Sequence, residues 1–273
     1  MTADPMPAPA SSAPAASAPA ASAPAFAGPA LSAPPAPGPA PTLAAPAPHG
    51  RPASPLSRAL LAAFGLAAAV DLISLLAGAE LGHQLAKPLL MPLLAAYALT
   101  LAHGLKATGG SPTAPRLLAA ALLLGWGGDV FLLSDADWAF LVGMGSFAAG
   151  HVCYLVLFGR RRTSALLGAG YAAALVGTVV LLWPDLPAEL RIPVAGYSLL
   201  LTAMAYRASS LGLAAGLGGA LFLLSDTLIA TGVAEWPQLP APDFWVMLTY
   251  IAAQYLLTVG VLSAMYGERR TTD

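Results

Sequence analysis

Two aspartates lie inside long apolar runs and are the residues of this protein best placed to do chemistry. Asp129 and Asp226 occur in the similar phrases GGDVFLLSD (127–135) and GGALFLLSD (218–226). A carboxylate is costly in hydrocarbon, which cannot solvate its charge, so such a residue indicates a functional site facing the interior of a helix bundle. Two carboxyl groups in one site can act as an acid and a base. We therefore predict one acid–base site that contains both aspartates.

Further polar side chains in the apolar runs are candidates for supporting roles: Asp71, Lys87, His151, Tyr154, Tyr197, Tyr250 and Gln254. Each also has a structural interpretation. An aspartate or a histidine can join two helices by a hydrogen bond, a lysine at a helix end can reach lipid headgroups, and a tyrosine can pack or lie at a membrane interface. The histidines have no ligand-like spacing, so we predict no cofactor and no metal, although carboxylate ligation of a metal stays open.

The composition excludes an ordinary soluble protein. Hydrophobic residues make up 58% of the sequence and charged residues only 9%, against about 25% charged in a typical soluble domain. Mean hydropathy is +0.73. The net charge of −1 gives no reason to expect a nucleic-acid partner, and one cysteine, Cys153, excludes an internal disulfide and a thiolate metal cluster.

The sequence divides into two unequal parts. Residues 1–55 hold 16 of the 26 prolines, which predicts a disordered, partly polyproline-like cytoplasmic tail without chemistry. Residues 56–268 predict an all-α polytopic membrane protein with eight transmembrane helices, and 269–273 a short cytoplasmic tail. Apolar runs of about 20 residues match the thickness of a bilayer, where only helices satisfy the backbone within each segment. We expect spans at 58–78, 88–106, 116–134, 138–158, 164–183, 192–209, 211–231 and 244–266, with Pro88, Pro115, Pro184 and Pro193 near their ends.

Charges between the spans predict the orientation. The breaks on one side carry ten of the twelve basic residues, and those on the other side carry most of the acidic ones, with Lys87 and Arg191 as the basic exceptions. By the positive-inside rule both termini lie in the cytoplasm, and the expected location is the cell membrane (plasma or inner). At about 1.5 Å per residue, Asp129 and Asp226 lie about 20 Å from the cytoplasmic ends of their spans. Most polar side chains therefore share the outer half.

Glycine pairs at 127–128 and 218–219 allow close approach of helices, which favours central positions for the third and seventh spans. The repeated phrases favour a duplicated four-helix unit, with Phe147-x-x-x-His151 matching Tyr250-x-x-x-Gln254. Direct alignment, however, pairs Asp226 with Asp135, so the two aspartates are not strict equivalents of one another.

Five elements in order make the sequence resemble a known family. Lys87-Pro88, Gly128-Asp129, Gly150-His151-x-x-Tyr154, Ser225-Asp226 and Tyr250-x-x-Ala253-Gln254-Tyr255 resemble the pattern of the YhhN-like lysoplasmalogenase family across about 58–266. The resemblance implies a membrane-embedded hydrolase that cleaves the vinyl-ether bond of lysoplasmalogens to a fatty aldehyde and a glycerophospho-alcohol. It also implies that Asp129 and Asp226 are the catalytic pair and that the partner is a membrane lysophospholipid.

Such chemistry suits two carboxyl groups. An acid protonates the β-carbon of a vinyl ether, and a carboxylate stabilises the oxocarbenium ion and activates water, as in glycoside hydrolysis. Which aspartate takes which role stays open. Lys87 could hold the lipid phosphate, and Tyr250, Gln254 and His151 could position water or the ether oxygen. The alternatives are a proton-coupled transporter, which needs polar access from both sides, and a non-catalytic membrane scaffold, which leaves both aspartates unexplained.

Overall fold

The computed structural model describes residues 54–106, 113–134 and 136–270. Every regular element in these ranges is helical. The elements are α1 (Pro55–Ala77), α2 (Glu80–Lys106), α3 (Thr113–Phe131), α4 (Asp137–Phe158), α5 (Ala165–Leu182), α6 (Ala188–Ala208), a 3₁₀ turn (Ser209–Leu211), α7 (Leu213–Val233) and α8 (Pro242–Arg270). The predicted proline-rich tail falls almost wholly outside the described residues.

Six of these helices are long and apolar enough to cross a membrane by length and composition: α1, α2, α4, α5, α7 and α8. The protein is therefore an all-α polytopic membrane protein, as predicted. The other two helices are more polar, since α6 contains Glu189, Arg191 and Arg207 and α3 contains Arg116 and Asp129. The 19 residues of α3 and the 21 residues of α6 correspond to lengths of about 28 and 32 Å. That these two helices also cross the membrane stays a prediction.

The predicted start of the second span is wrong. The helix α2 begins at Glu80, and Pro88 and Pro92 lie inside it, whereas Pro88 was expected near its start. Pro193 likewise lies inside α6. Proline removes one backbone hydrogen bond, but helices in a membrane bundle tolerate it because neighbouring groups satisfy the freed carbonyl. Lys87 consequently lies two turns into a helix and is only 8% exposed, instead of opening a span at the interface.

Small residues set the closest helix contacts. A Cβ added at Gly218 of α7 would lie 2.7 Å from the backbone nitrogen of Leu257 in α8, and one at Gly260 of α8 would lie 2.6 Å from the nitrogen of Ala215 in α7. Side chains at either position would force the helices apart. The strongly packed pairs are α7 with α8, α3 with α4, and α1 with α2, and α6 packs on both α4 and α7.

The loops divide the bundle into two ends. We name the end that carries the loops after α1, α3, α5 and α7 the acidic end, and the end that carries the loops after α4 and α6 the basic end. At the basic end Arg207 donates to the carbonyl oxygen of Arg161 at 2.7 Å and to that of Gly159. It thereby fixes the end of α6 to the loop between α4 and α5. Gly212, with φ of +111°, makes the turn into α7 that a larger residue would strain.

Candidate functional site

Asp129 lies at the centre of the first of two hydrogen-bonded networks. Its side chain is 2% exposed and accepts a hydrogen bond from the hydroxyl of Tyr250 at 2.8 Å. Gln254 donates to the same hydroxyl at 3.3 Å and accepts from the hydroxyl of Tyr154 at 2.8 Å. We name these four residues the Asp129 network. The helices α3, α4 and α8 thus meet through these side chains, of which Asp129, Tyr250 and Gln254 were predicted to share one depth.

The Asp129 network depends on the absence of a side chain at Gly125. A Cβ at Gly125 would lie 3.1 Å from Nε2 of Gln254 and 3.4 Å from the hydroxyl oxygen of Tyr250. Glycine on α3 therefore allows α8 to bring both polar groups beside Asp129. Gly128, one turn later on α3, likewise leaves room for a neighbour, because a Cβ there would lie 2.4 Å from the ring of Phe147.

Asp226 belongs to a second network, which we name the Asp226 network. Its carboxylate accepts a hydrogen bond from the hydroxyl of Tyr197, and the same hydroxyl oxygen lies 3.1 Å from Nε2 of His151. When Asp226 is ionised, the one hydroxyl proton of Tyr197 is directed to its carboxylate, and His151 then donates to the hydroxyl oxygen through Nε2. Its Nδ1 then has no hydrogen-bond partner among the described residues.

An aromatic wall of Phe147 and Phe222 lies between the two networks. The ring centroid of Phe222 is 4.8 Å from that of His151 and 5.4 Å from that of Tyr250. Phe147 packs edge-on against Phe222 at 6.2 Å and against Tyr250 at 5.9 Å. The two networks therefore touch one aromatic cluster, and Asp226 acts electrostatically on Asp129 across it.

A third polar group joins α1 and α2. Asp71 is fully buried, and its Oδ1 lies 2.8 Å from Nδ1 of His83. The charges of both Asp71 and Lys87 act on Asp129. His83 is a residue that the sequence analysis considered only as a metal ligand. His83 lies four residues before Lys87, on the same face of α2. This spacing was the sequence feature that could have identified His83 as a partner of Asp71.

A cavity of about 290 Å³ opens beside Asp226. Helices α4, α5, α6 and α7 supply its walls, and Asp226 and Tyr197 are the residues of the Asp226 network that line it. Phe147 lines it too, whereas Asp129 does not. The remaining surface is mostly apolar, with the small hydroxyl side chains of Thr178, Ser198, Thr202 and Thr227. This volume lies at the lower limit of small-molecule sites, which span about 300–1,000 Å³.

The predicted site residues therefore fall into two connected networks instead of one open site. Asp129, Tyr250, Gln254 and Tyr154 form one, and Asp226, Tyr197 and His151 form the other. Lys87 and Asp71 lie within electrostatic range of Asp129. Among the described residues no group of three or more histidine, cysteine or acidic side chains could hold a metal ion. The arrangement offers a carboxyl group at a hydrocarbon-sized cavity and a second carboxyl group behind an aromatic wall.

Comparisons with known proteins point in one direction. The YhhN family matches residues 82–261. The protein is 36% identical over 147 residues to human lysoplasmalogenase TMEM86B, covering 54% of this protein and 64% of the relative. It is 31% identical over 215 residues to a lysoplasmalogenase of Mycobacterium tuberculosis, covering 72% and 79%. Human lysoplasmalogenase TMEM86A is 29% identical over 185 residues, covering 64% and 76%.

The match to the TMEM86B relatives thus spans less than two thirds of their length. No solved structure matches this protein.

Proposed function

This protein belongs to the YhhN family, and from that premise we propose that it hydrolyses the vinyl-ether bond of lysoplasmalogen-type lysophospholipids. Relatives from mammals and mycobacteria that share 29–39% identity carry the name lysoplasmalogenase, which supports the proposal. The cavity beside Asp226 is the observation that carries it. A carboxyl group in an apolar space of about 290 Å³ is suited to place an acid against a hydrocarbon double bond.

The reaction needs one proton donor and one water molecule. The acid gives its proton to the β-carbon of the alkenyl group, so a C–H bond forms, the double bond breaks, and the α-carbon becomes an oxocarbenium ion. Water attacks that carbon and loses a proton to the carboxylate, which gives a hemiacetal. The hemiacetal loses its hydroxyl proton as the carbon–oxygen bond to glycerol breaks, and the leaving oxygen takes up a proton. The products are a fatty aldehyde and a glycerophospho-alcohol.

We assign both proton transfers to Asp226. It lines the cavity, and Tyr197 holds one of its carboxylate oxygens in place. One carboxyl group can serve first as acid and then as base in such a sequence, as the acid of a retaining glycosidase does. Tyr197 lines the same cavity and lies against His151. We assign these two residues the positioning of Asp226.

We assign Asp129 the stabilisation of the cation. It does not line the cavity, but it is coupled to Asp226 through space, and its carboxylate is held by Tyr250. Coulomb attraction falls only in inverse proportion to distance, so a buried carboxylate that does not line the cavity can still stabilise a cation that develops there. Fixed charges of this kind need no rearrangement during the reaction. Lys87 is buried two turns into α2, so we do not assign it the binding of the lipid phosphate.

We propose that the substrate comes from the leaflet at the acidic end. The basic loop residues, among them Arg160, Arg161 and Arg162, support a cytoplasmic location for the opposite end by the positive-inside rule. Asp226 lies 13 residues from the start of α7 at the basic end and 7 residues from its other end. The carboxyl group is therefore closer to the outer leaflet of the cell membrane.

The purified protein tests the proposal directly. In detergent it should release aldehyde from a lysoplasmalogen and none from the matching saturated 1-alkyl lysophospholipid, which has no double bond to protonate. A folded protein without turnover of any vinyl-ether lipid would contradict the enzyme. A carrier would instead accumulate the intact lipid or a coupled solute in sealed vesicles without forming product, and a scaffold would do neither.

A further inference from the structure

We infer that the lysolipid enters sideways from the bilayer through a gap between α4 and α5, and that its alkenyl chain lies in the cavity beside Asp226. This inference rests on the proposed function and adds the route and the residues that select the substrate. It also accounts for a helix, α5, that contributes little to the core of the bundle.

The gap follows from how α5 is held. The helix α5 packs against α6 and α7, and α4 packs against α3 and α6, whereas α4 and α5 are not among the well-packed pairs of the described helices. Leu182 is the one buried residue of α5, and Leu166, Val176 and Val180 are strongly exposed. A helix with such a surface is in contact with lipid along most of its length.

The two helices are nevertheless held at their ends. The loop after α4 is fixed to α6 at the basic end by Arg207, which donates to the carbonyl oxygens of Gly159 and Arg161. A further bond runs at 3.4 Å from the hydroxyl of Tyr206 to the carbonyl oxygen of Ser164. The acidic end of α5 is held as well, since Leu182 is buried in a cluster against which Met144 of α4 packs, so we place the gap along the middle of the two helices.

Residues from both helices that border this gap line the cavity. Its walls include Phe140 and Met144 from α4 and Ala174, Leu175 and Thr178 from α5. Ala174 lines the cavity and is an exposed residue, so we place the rim of the opening there. Asp226 and Tyr197, on α7 and α6, line the same cavity.

The size of the space bears on selectivity. About 290 Å³ is at the lower limit for small-molecule sites, so we expect the cavity to hold part of one hydrocarbon chain. The apolar wall excludes a phosphate group, so the headgroup must stay at the acidic end while the alkenyl chain points inward. A second acyl chain on the same glycerol would have no place in the cavity. The gap therefore selects lipids with a single chain.

A pair of neighbouring alanines gives a matched test. Ala174→Trp fills the rim of the opening, whereas Ala173→Trp places the same bulk on an exposed position that does not line the cavity. The probe is a saturated lysophosphatidylcholine with a diazirine in mid-chain, cross-linked by light and located by peptide mass spectrometry. Because this probe has no vinyl ether, its binding is independent of the proposed reaction.

We expect the probe to label peptides of α4 and α5 in the unmodified protein. Ala174→Trp should reduce this labelling about tenfold or more, and Ala173→Trp should leave it unchanged. Aldehyde release from a long-chain lysoplasmalogen should fall in parallel. If Ala174→Trp does not fold, Ala174→Leu gives the same test with less bulk. Equal labelling in the two variants, or labelling confined to other helices, would overturn the opening, whereas normal labelling without aldehyde release would refute only the proposed function.

Discussion

Replacing Tyr197 by phenylalanine tests the assignment of Asp226 most closely. The change removes the hydroxyl that donates to Asp226 and that lies 3.1 Å from His151. The ring itself stays, with its centroid 5.5 Å from that of His151. The substitution therefore frees one carboxylate oxygen while the packing around it is retained.

The expected loss follows from the strength of one hydrogen bond. A hydrogen bond to a charged group contributes about 1.5–3 kcal/mol, and about 1.36 kcal/mol corresponds to tenfold in rate. We therefore expect kcat for aldehyde release to fall about 10- to 150-fold. KM should change little, because the apolar wall that binds the alkenyl chain is intact.

Tyr206→Phe is the matched control on the same helix. Its hydroxyl is exposed and makes one long bond of 3.4 Å to the carbonyl oxygen of Ser164 at the basic end. Steady-state rates of both variants should be measured in one detergent with folding checked by thermal unfolding. If Tyr197→Phe turned over as fast as Tyr206→Phe, Tyr197 would not position the acid, and our assignment of Asp226 would lose its support.

Three further substitutions test the packing and the buried polar groups. Gln254→Leu leaves the buried hydroxyl of Tyr154 without its acceptor and should lower the free energy of unfolding by about 1–3 kcal/mol, seen as a lower midpoint of thermal unfolding. Gly218→Ala places a Cβ 2.7 Å from a backbone nitrogen of α8 and should lower the free energy of unfolding by about 1–3 kcal/mol by overpacking. Its control, Gly170→Ala, places a Cβ that meets nothing within 4 Å. Thermal unfolding of this control should show an unchanged or higher midpoint. His83→Leu removes the bond to the fully buried Asp71 and should cost about 1–3 kcal/mol; an unchanged midpoint would mean that this pair does not hold α1 on α2.

The helices could be predicted from the sequence because the length of an apolar run depends on that segment alone. The predicted spans at 138–158 and 164–183 agree with α4 (Asp137–Phe158) and α5 (Ala165–Leu182) within one residue at each end. The predicted start of the second span, at residue 88, lies eight residues after the start of α2 at Glu80. The preference of proline for helix ends weakens inside a membrane bundle, where neighbours satisfy the freed carbonyl.

The site was readable only in part. Depth along a helix follows from residue count, so the sequence placed Asp129, Tyr250 and Gln254 at one level, and the structure brings them together. Rotation about the helix axis does not follow from residue count. That Tyr197 would face Asp226 and not Asp129 depends on how closely α6 packs on α7, where a Cβ at Gly219 would lie 2.8 Å from the Cα of Ala205.

The cavity had no signal in the sequence at all. It exists because α5 packs on α6 and α7 without closing on α4, which is a relation between four helices. The duplicated four-helix unit remains a prediction. The two residues it pairs, Phe147 and Tyr250, are in ring contact at 5.9 Å.

The most direct measurement compares aldehyde release from a lysoplasmalogen by the unmodified protein, Asp129→Asn, Asp226→Asn and the double variant. If the two carboxyl groups act as one unit, each single variant should lose nearly all activity, and the double variant should be no slower than the slower single one, since residues that act together are not additive. Full activity in either folded single variant would contradict a shared site. Losses that simply multiply would show two groups acting independently.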